Sequence, residues 1–239
     1  MTASILAIET STHACSVALQ VGNDVLNRRE LAARRHGELL LPWVQELLAE
    51  AGVKATDLNA VSVSRGPGAF TGVRMGIAVA QGLAMASELP AVAVSSLLAC
   101  AHGAWRQTGE KNHLVAFDAR MGELYWGQCL VEAAGQARLI HESVLRPEDV
   151  ELPPITTDAD RFLPVSDGWA SYPEFYRHAQ SCLLADERGL GWLPDATDVL
   201  ALAQTAYAAG EVVAAEQLQP VYLRDNVAQK PKGKPKSKI

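Results

Sequence analysis

The chain has 239 residues, 49% of them hydrophobic, and a net charge of −6, enough to build a buried core in one large domain or two smaller lobes. Its four cysteines, Cys15, Cys100, Cys129 and Cys182, form no CxxC pair, which excludes a zinc ribbon or a thioredoxin-type motif and suits a reducing compartment. The start, Met1-Thr2-Ala3-Ser4, lacks a leader pattern, and no apolar run reaches the roughly 18 residues of a membrane helix, so a cytoplasmic protein is expected.

Ser4–Ile8, Ala14–Val21 and Val25–Leu31 are β-favouring runs joined by short polar links, which predicts an antiparallel meander. From Gly37 to Ala51, Leu40, Leu41, Val44, Leu47 and Leu48 recur at helical spacing, and Gly52 supplies a stop. A strand follows over Leu58–Val63. The glycine-rich run Ser64–Gly76 then leads into an apolar helix from Ile77 to Ala86. Ala91–Val94 reads as a strand and Ser96–Trp105 as a helix. A meander followed by βαβ crossovers gives a mixed sheet with packed helices.

A second unit begins near His113. Strands over Leu114–Phe117, Glu123–Val131 and Ala137–Val144 repeat the opening meander, each copy with a polar turn after its first strand. Proline-rich connections (Pro147, Pro153, Pro154) then replace a clear helix. One further helix, Ala196–Ala209, with Asp195 or Thr197 as cap and Gly210 as stop, is expected to pack back on the first unit. The expected division is residues 1–108 with 195–225, residues 109–194, and a lysine–proline tail. That tail, 226–239, holds five lysines and no acid, so residues 1–225 carry −11. It has too little apolar surface to fold and is expected to be disordered. Contact with RNA or an acidic partner is the alternative to a merely solvated tail.

Three features invite a functional reading. Glu9-Thr10-Ser11-Thr12 places a carboxylate and three hydroxyls in a turn, a set that could cradle a phosphate and its Mg²⁺, and Asp118-Ala119-Arg120 holds the equivalent place in the second unit. Facing each other across a cleft, the two turns would form a nucleotide clamp; the plain alternative is two polar β-turns. The glycine run sits where a helix N-terminus could hold an anion. Against a dinucleotide site, Pro67 lacks an N–H and no acid follows the next strand; Gly-Lys-Ser/Thr is also missing. Gly72, Gly76, Ala80 and Ala84, four apart, form a smooth stripe for close backbone approach. The other face of the helix, with Val73, Ile77 and Val79, is also apolar, so burial on both sides is expected, one of them against a partner. The six histidines show no metal-binding spacing, and no nucleophile–base pair supports a peptidase.

Five stretches resemble the TsaB (YeaZ) family in the same order: Ile5–Ser11, His36–Pro42, Gly66–Gly76, Asp118–Glu123 and Pro220–Arg224. The resemblance implies an α/β fold of two RNase H-like lobes in the actin/hexokinase/Hsp70 (ASKHA) class, the second lobe degenerate. It also implies a part in placing threonylcarbamoyl on adenosine 37 of tRNA (t6A). An upstream enzyme makes threonylcarbamoyl-AMP, and the catalytic relative TsaD transfers the group. This family pairs with TsaD as a non-catalytic partner, the ATPase TsaE joins, and single chains form homodimers through the same helix surface. The metal-binding histidine pair of the catalytic relative falls here on Ser96 and Cys100, with His102 off the spacing.

The resemblance therefore implies no catalytic residue and no resident metal, with ATP or ADP and Mg²⁺ only in the partner complex. Glu9, Thr10, Ser11, Thr12 and Asp118 become vestigial phosphate-type turns. The implied partner interface is Leu40, Leu41, Gly68, Phe70, Thr71, Gly72, Arg74, Met75, Gly76, Val79, Ala80 and Leu83. Arg65 and Arg74 either make charge-assisted bonds across that interface or are surface arginines paired within their own lobe. The competing function is an independent ATP-binding phosphotransferase of the same fold class.

Overall fold

The computed structural model describes residues 2–32, 34–132 and 135–224; the lysine–proline tail expected to be disordered lies outside them. β1 (Ile5–Glu9), β2 (Ala14–Val21) and β3 (Asp24–Leu31) form the expected meander, and β4 (Ala60–Ser64) and β5 (Ala91–Val94) join it in parallel, giving the order β3-β2-β1-β4-β5. All five residues of β1 are buried, because helices cover both faces of the sheet.

On one face lie α1 (His36–Ala51) and α2 (Phe70–Ala86), whose Leu40, Val44, Leu47, Val73 and Ile77 meet Leu6, Ile8, Val17 and Val63. Gly52, at φ 67°, ends α1 in the left-handed conformation that glycine adopts without strain. On the other face, Ile5, Ala7, Val92 and Val94 meet α6 (Ala196–Ala208), which returns to this sheet as expected and is capped by the Asp195 carboxylate accepting from Thr197 N at 2.8 Å.

The second sheet repeats the first in abbreviated form. β6 (Asn112–Arg120), β7 (Glu123–Val131) and β8 (Ala137–Leu145) make a meander, and β9 (Leu163–Val165) pairs in parallel with β6, as β4 does with β1. The order is β8-β7-β6-β9, with no counterpart of β5 among the described residues. The sequence reading missed β9 and the two short helices after it, α4 (Gly168–Ser171) and α5 (Pro173–Ala179). They are too short to show a period, and aromatic packing of Trp126, Trp169 and Phe175 holds them.

α3 (Ser96–Thr108) serves both halves. Ala99 joins the core under α6, while Leu97, Cys100, Ala101 and Ala104 pack on Val115, Phe117, Cys129 and Val131 of the second sheet. Two mixed sheets of repeated topology, each covered by helices, make the two-lobed ASKHA-type α/β fold with a reduced second lobe.

Candidate functional site

The turns after β1 and β6 open on a cleft of about 730 Å³ between the halves, lined by Ser11, Thr12 and His13 on one side and Asp118, Ala119, Arg120 and Asp167 on the other. The structure thus brings Ser11, Thr12 and Asp118 together, as the sequence suggested. It does not bring Glu9 or Thr10 into the cleft. Glu9 is completely buried, its Oε1 accepts from Ser11 N, and burial holds its carboxyl above the ordinary carboxylate range against the lowering effect of Ser11 and Ser64. Thr10 turns to α2 and donates from Oγ1 to Gly72 O at 2.8 Å.

On the opposite wall, Asp118 is already satisfied: Oδ1 accepts from Arg120 N and Oδ2 pairs with Arg120 Nη1, both at 2.8 Å. A Mg²⁺–phosphate needs an ionised carboxylate facing the cleft, and the acid of the first turn is sealed below it in an environment that favours its neutral form. Among the described residues, no group of three His, Cys, Asp or Glu side chains could hold a metal ion. Glu9 is thus withdrawn from any Mg²⁺–phosphate in the cleft, and Asp118 is engaged by Arg120.

The glycine run is shorter as a turn than the sequence suggested, because α2 begins at Phe70 and takes Gly72 and Gly76 into its first two turns. The question of anion or backbone is settled by what lies against it. Ala69 N donates to Ser11 O at 2.6 Å, and a Cβ at Gly68 or Gly72 would overlap the carbonyl oxygen of Ser11 or Thr10. A Cβ at Gly76 would collide with Thr10 Oγ1. The loop therefore packs on the backbone of the β1–β2 turn of its own chain.

This corrects the expected docking stripe. Gly72, Gly76, Ala80 and Ala84 are buried against β1 and β4 and show no surface to another chain, and Leu40 is 1% exposed in the core. They are small because a helix must lie close to its own sheet. Gly68 is half-buried on Ser11. The outward side of α2 carries Phe70, Thr71, Arg74 and Met85, exposed, with Met75, Val79 and Leu83 half-buried. Leu41 adds to it from α1, and the two helices touch where Gly37 faces the Met75 side chain. Phe70, Leu41 and Met85 are 52%, 48% and 54% exposed, large apolar side chains on the outer side of the two helices, with Phe70 and Met85 about 22 Å apart at opposite ends of α2.

Both arginines beside the glycine loop bond within the chain. Arg65 Nη2 pairs with Glu142 at 2.6 Å, and Ser95 Oγ donates to the other oxygen of the same carboxylate, tying the first half to β8. Arg74 lies over the Phe70 ring at 3.6 Å and donates from Nε to Tyr222 Oη at 2.6 Å. The sequence reading missed this role of Tyr222, although Pro220–Arg224 stood out as a motif.

Ser96 and Cys100, the positions on which the resemblance places the histidine pair of the catalytic relative, are fully buried, and Cys100 Sγ lies 3.4 Å from Trp192 O. His102 Nδ1 bonds instead to the buried Asp198 at 2.8 Å, with Arg106 on the same carboxylate. All four thiols are buried, and burial pushes Cys15 up to about 12, far from a nucleophilic thiolate.

The family described as "TsaD: tRNA N6-adenosine threonylcarbamoyltransferase" matches residues 21–232. The tRNA threonylcarbamoyladenosine biosynthesis protein TsaB of Escherichia coli K12 is 44% identical over 95% of this chain and 96% of its own length, and that of Haemophilus influenzae is 36% identical over the same shares. The fold is similar to YeaZ from Pseudomonas aeruginosa, with a TM-score of 0.81 at 43% identity over 92% of this chain and all of that one. A second Pseudomonas aeruginosa structure, titled as an uncharacterized protein with similarity to peptidase YEAZ, gives 0.83 at 44% identity over 93% of this chain and all of that one. With matches that span nearly its whole length, the chain belongs to the TsaB (YeaZ) family of tRNA threonylcarbamoyladenosine biosynthesis proteins.

Proposed function

We propose that the chain works in t6A biosynthesis as a non-catalytic partner subunit that docks a TsaD-type transferase through the outer face of α1 and α2. The observation that carries this is the division of α2. Its small residues pack on its own sheet, yet Phe70 and Met85 stand exposed and Met75, Val79 and Leu83 half-exposed on its other side, with exposed Leu41 on the neighbouring helix. Large apolar side chains left on the outer side of a helix pair mark protein interfaces. The same face would pair two copies when the transferase is absent. TsaE would join the pair, tRNA would be reached through the complex, and the compartment would be the cytoplasm. ATP or ADP with Mg²⁺ would belong to that complex, because Glu9 is sealed below the cleft of this chain and Asp118 is tied to Arg120. An independent phosphotransferase is not favoured, since Glu9 is buried away from the cleft.

Light scattering of the purified chain, alone and with TsaD, tests the reading. A homodimer that converts to a one-to-one pair is expected. Leu41→Glu with Thr71→Arg, both at exposed positions, should abolish both forms while leaving the circular dichroism unchanged. Pairing with TsaD that survives this double change overturns the α1–α2 docking face.

A further inference from the structure

After α6 the chain crosses the molecule from one half to the other. Val213 first pairs with Ala91 of β5, with both backbone bonds at 2.9 Å. Ala215 and Leu218 are buried in the core with Ala80 and Ala84 of α2, and Leu218 O accepts from Gln81 Nε2 at 3.0 Å. The chain then passes the start of α2. Val221 N donates to Arg65 O at 2.9 Å, and Tyr222 Oη accepts from Arg74 Nε at 2.6 Å. Arg224 lands on the second half. Its Nη2 donates to Ala119 O at 3.1 Å and pairs with Glu123, and its Nη1 lies 3.7 Å from Met121 Sδ.

All three partners of Arg224 belong to the β6–β7 hairpin. At the tip of that hairpin Arg120 and Met121 stand at φ 62° and 59°, a backbone region that strains residues with a side chain. A guanidinium gripping the tip from outside steadies a conformation that is costly alone. Between its two ends, the crossing segment is loosely seated. A cavity of about 170 Å³ lies against it, walled by Pro67 and Val73 of the first half, Tyr125 of the second, and Val221 and Leu223 of the segment itself. Side chains beside a void forgo packing contacts, so the hold on the second half is concentrated in the charged group at the end.

We propose that residues 218–224 are an interlobe strap that sets the opening of the cleft. The strap is anchored along α2 and closed on the β6–β7 hairpin by Arg224, which itself lines the cleft. The halves also meet through α3, which packs on both sheets, and through Glu142, which accepts from Arg65 and Ser95. With Arg224 released, the halves swing apart about α3. The closure is releasable because Arg224 and Glu123 are both partly exposed, so water can take over either charge. This device belongs to the single chain and holds whether or not α1 and α2 dock a partner.

The test is the distance between spin labels on cysteines introduced by Glu38→Cys in α1 and Ser171→Cys in α4, both exposed positions, read by pulsed electron paramagnetic resonance. The four native cysteines are buried and take no label. Dilution with unlabelled chain restricts the reading to distances within one molecule. Arg224→Met keeps a long side chain and removes the bonds to the hairpin. The label distance should lengthen and its distribution broaden, and the amides of residues 119–123 should exchange roughly tenfold or more faster, the factor carried by one charge-assisted bond. Glu123→Gln leaves the carbonyl contact to Arg224 and should give a smaller change in the same direction. A parent-like distance distribution in folded Arg224→Met overturns the strap, even with faster exchange at the hairpin, because Arg224 would then steady the tip alone while α3 and Glu142 fix the opening. If circular dichroism shows Arg224→Met unfolded, Glu123→Gln decides: a longer distance supports the strap and an unchanged one overturns it.

Discussion

The two halves share one plan, a meander with a parallel strand added beside its first strand, but fill it with different side chains. After β4, the first half uses Gly68, Gly72, Gly76, Ala80 and Ala84, so that a 17-residue helix lies directly on β1 and β4. After β9, the second half keeps one such contact. A Cβ at Gly168 would stand 2.6 Å from Ala116 O, so the chain again presses on the strand beside it. Beyond that point Trp169, Phe175 and Tyr176 take over. Small residues let a long helix sit close while its far side stays available. Large aromatics fill the same space with four- and seven-residue helices that end in the core. A broad apolar outer face on a long helix pair is therefore a property of the first half.

Gly72→Val gives the sharpest test of this contrast. The new side chain would drive into the Thr10 carbonyl, and neither the β1–β2 turn nor the helix start can move without breaking the Ala69–Ser11 and Thr10–Gly72 bonds. Overpacking of backbone against backbone exceeds the usual 1–3 kcal/mol (an order-of-magnitude range) of a strained core, so the folded state should be lost. Circular dichroism and a denaturant melt check it. A folded Gly72→Val protein that merely fails to pair would return the stripe to the surface.

The same contrast explains what could be read from the sequence. β1 to α3 were legible because strands and helices there are long enough to show their periods, with glycines and polar links marking the ends. The topology of the second meander was legible for the same reason. Its helices were not: Gly168–Ser171 and Pro173–Ala179 span about one and two turns, and a stacked Trp169–Phe175 pair leaves no pattern at 3.6 residues. At the docking face, small residues at four-residue spacing state that a backbone comes close without stating whose. Leu40 and Leu41 show the same limit, since one step of 100° separates a core residue from a surface one. Glu9 looked like a cleft acid because the strand's burial on both faces, and hence that of its last residue, follows only from the helices on either side.

Trp169→Ala probes the second half on its own terms. Trp169 is 1% exposed, stacks on Phe175 at 5.2 Å, meets Trp126 edge-on at 5.6 Å and donates from Nε1 to Leu114 O at 3.2 Å. Truncation leaves a large cavity and removes the indole bond to the Leu114 carbonyl, at a cost of about 3–5 kcal/mol. Hydrogen exchange should show β6, β9, α4 and α5 losing protection while β1, β2 and β4 keep theirs. Equal loss across both sheets would mean that α3, packed on each, makes the halves unfold as one unit.

The smallest expected effect concerns pH, where the halves carry opposite liabilities. In the first, burial raises the Glu9 carboxyl, so the folded state holds a proton that the unfolded chain releases; stability from this group is full below the unfolded value and is lost as pH rises through the folded one. In the second, His113 is fully buried on β6, and burial pushes its imidazole down to about 4 from 6.5. The unfolded chain binds the proton first. Stability is then full above about 6.5 and falls as pH drops toward 4, by roughly 3 kcal/mol if the whole shift is expressed. Denaturant melts across this range should therefore show His113→Phe flattening the acid-side fall, whatever its effect at pH 7. Glu9→Gln keeps an oxygen acceptor for Ser11 N and should relieve the loss at higher pH instead. If the acid-side slope survives in His113→Phe, the proton uptake belongs to another group, and the second half carries no acid-sensitive core residue at this position.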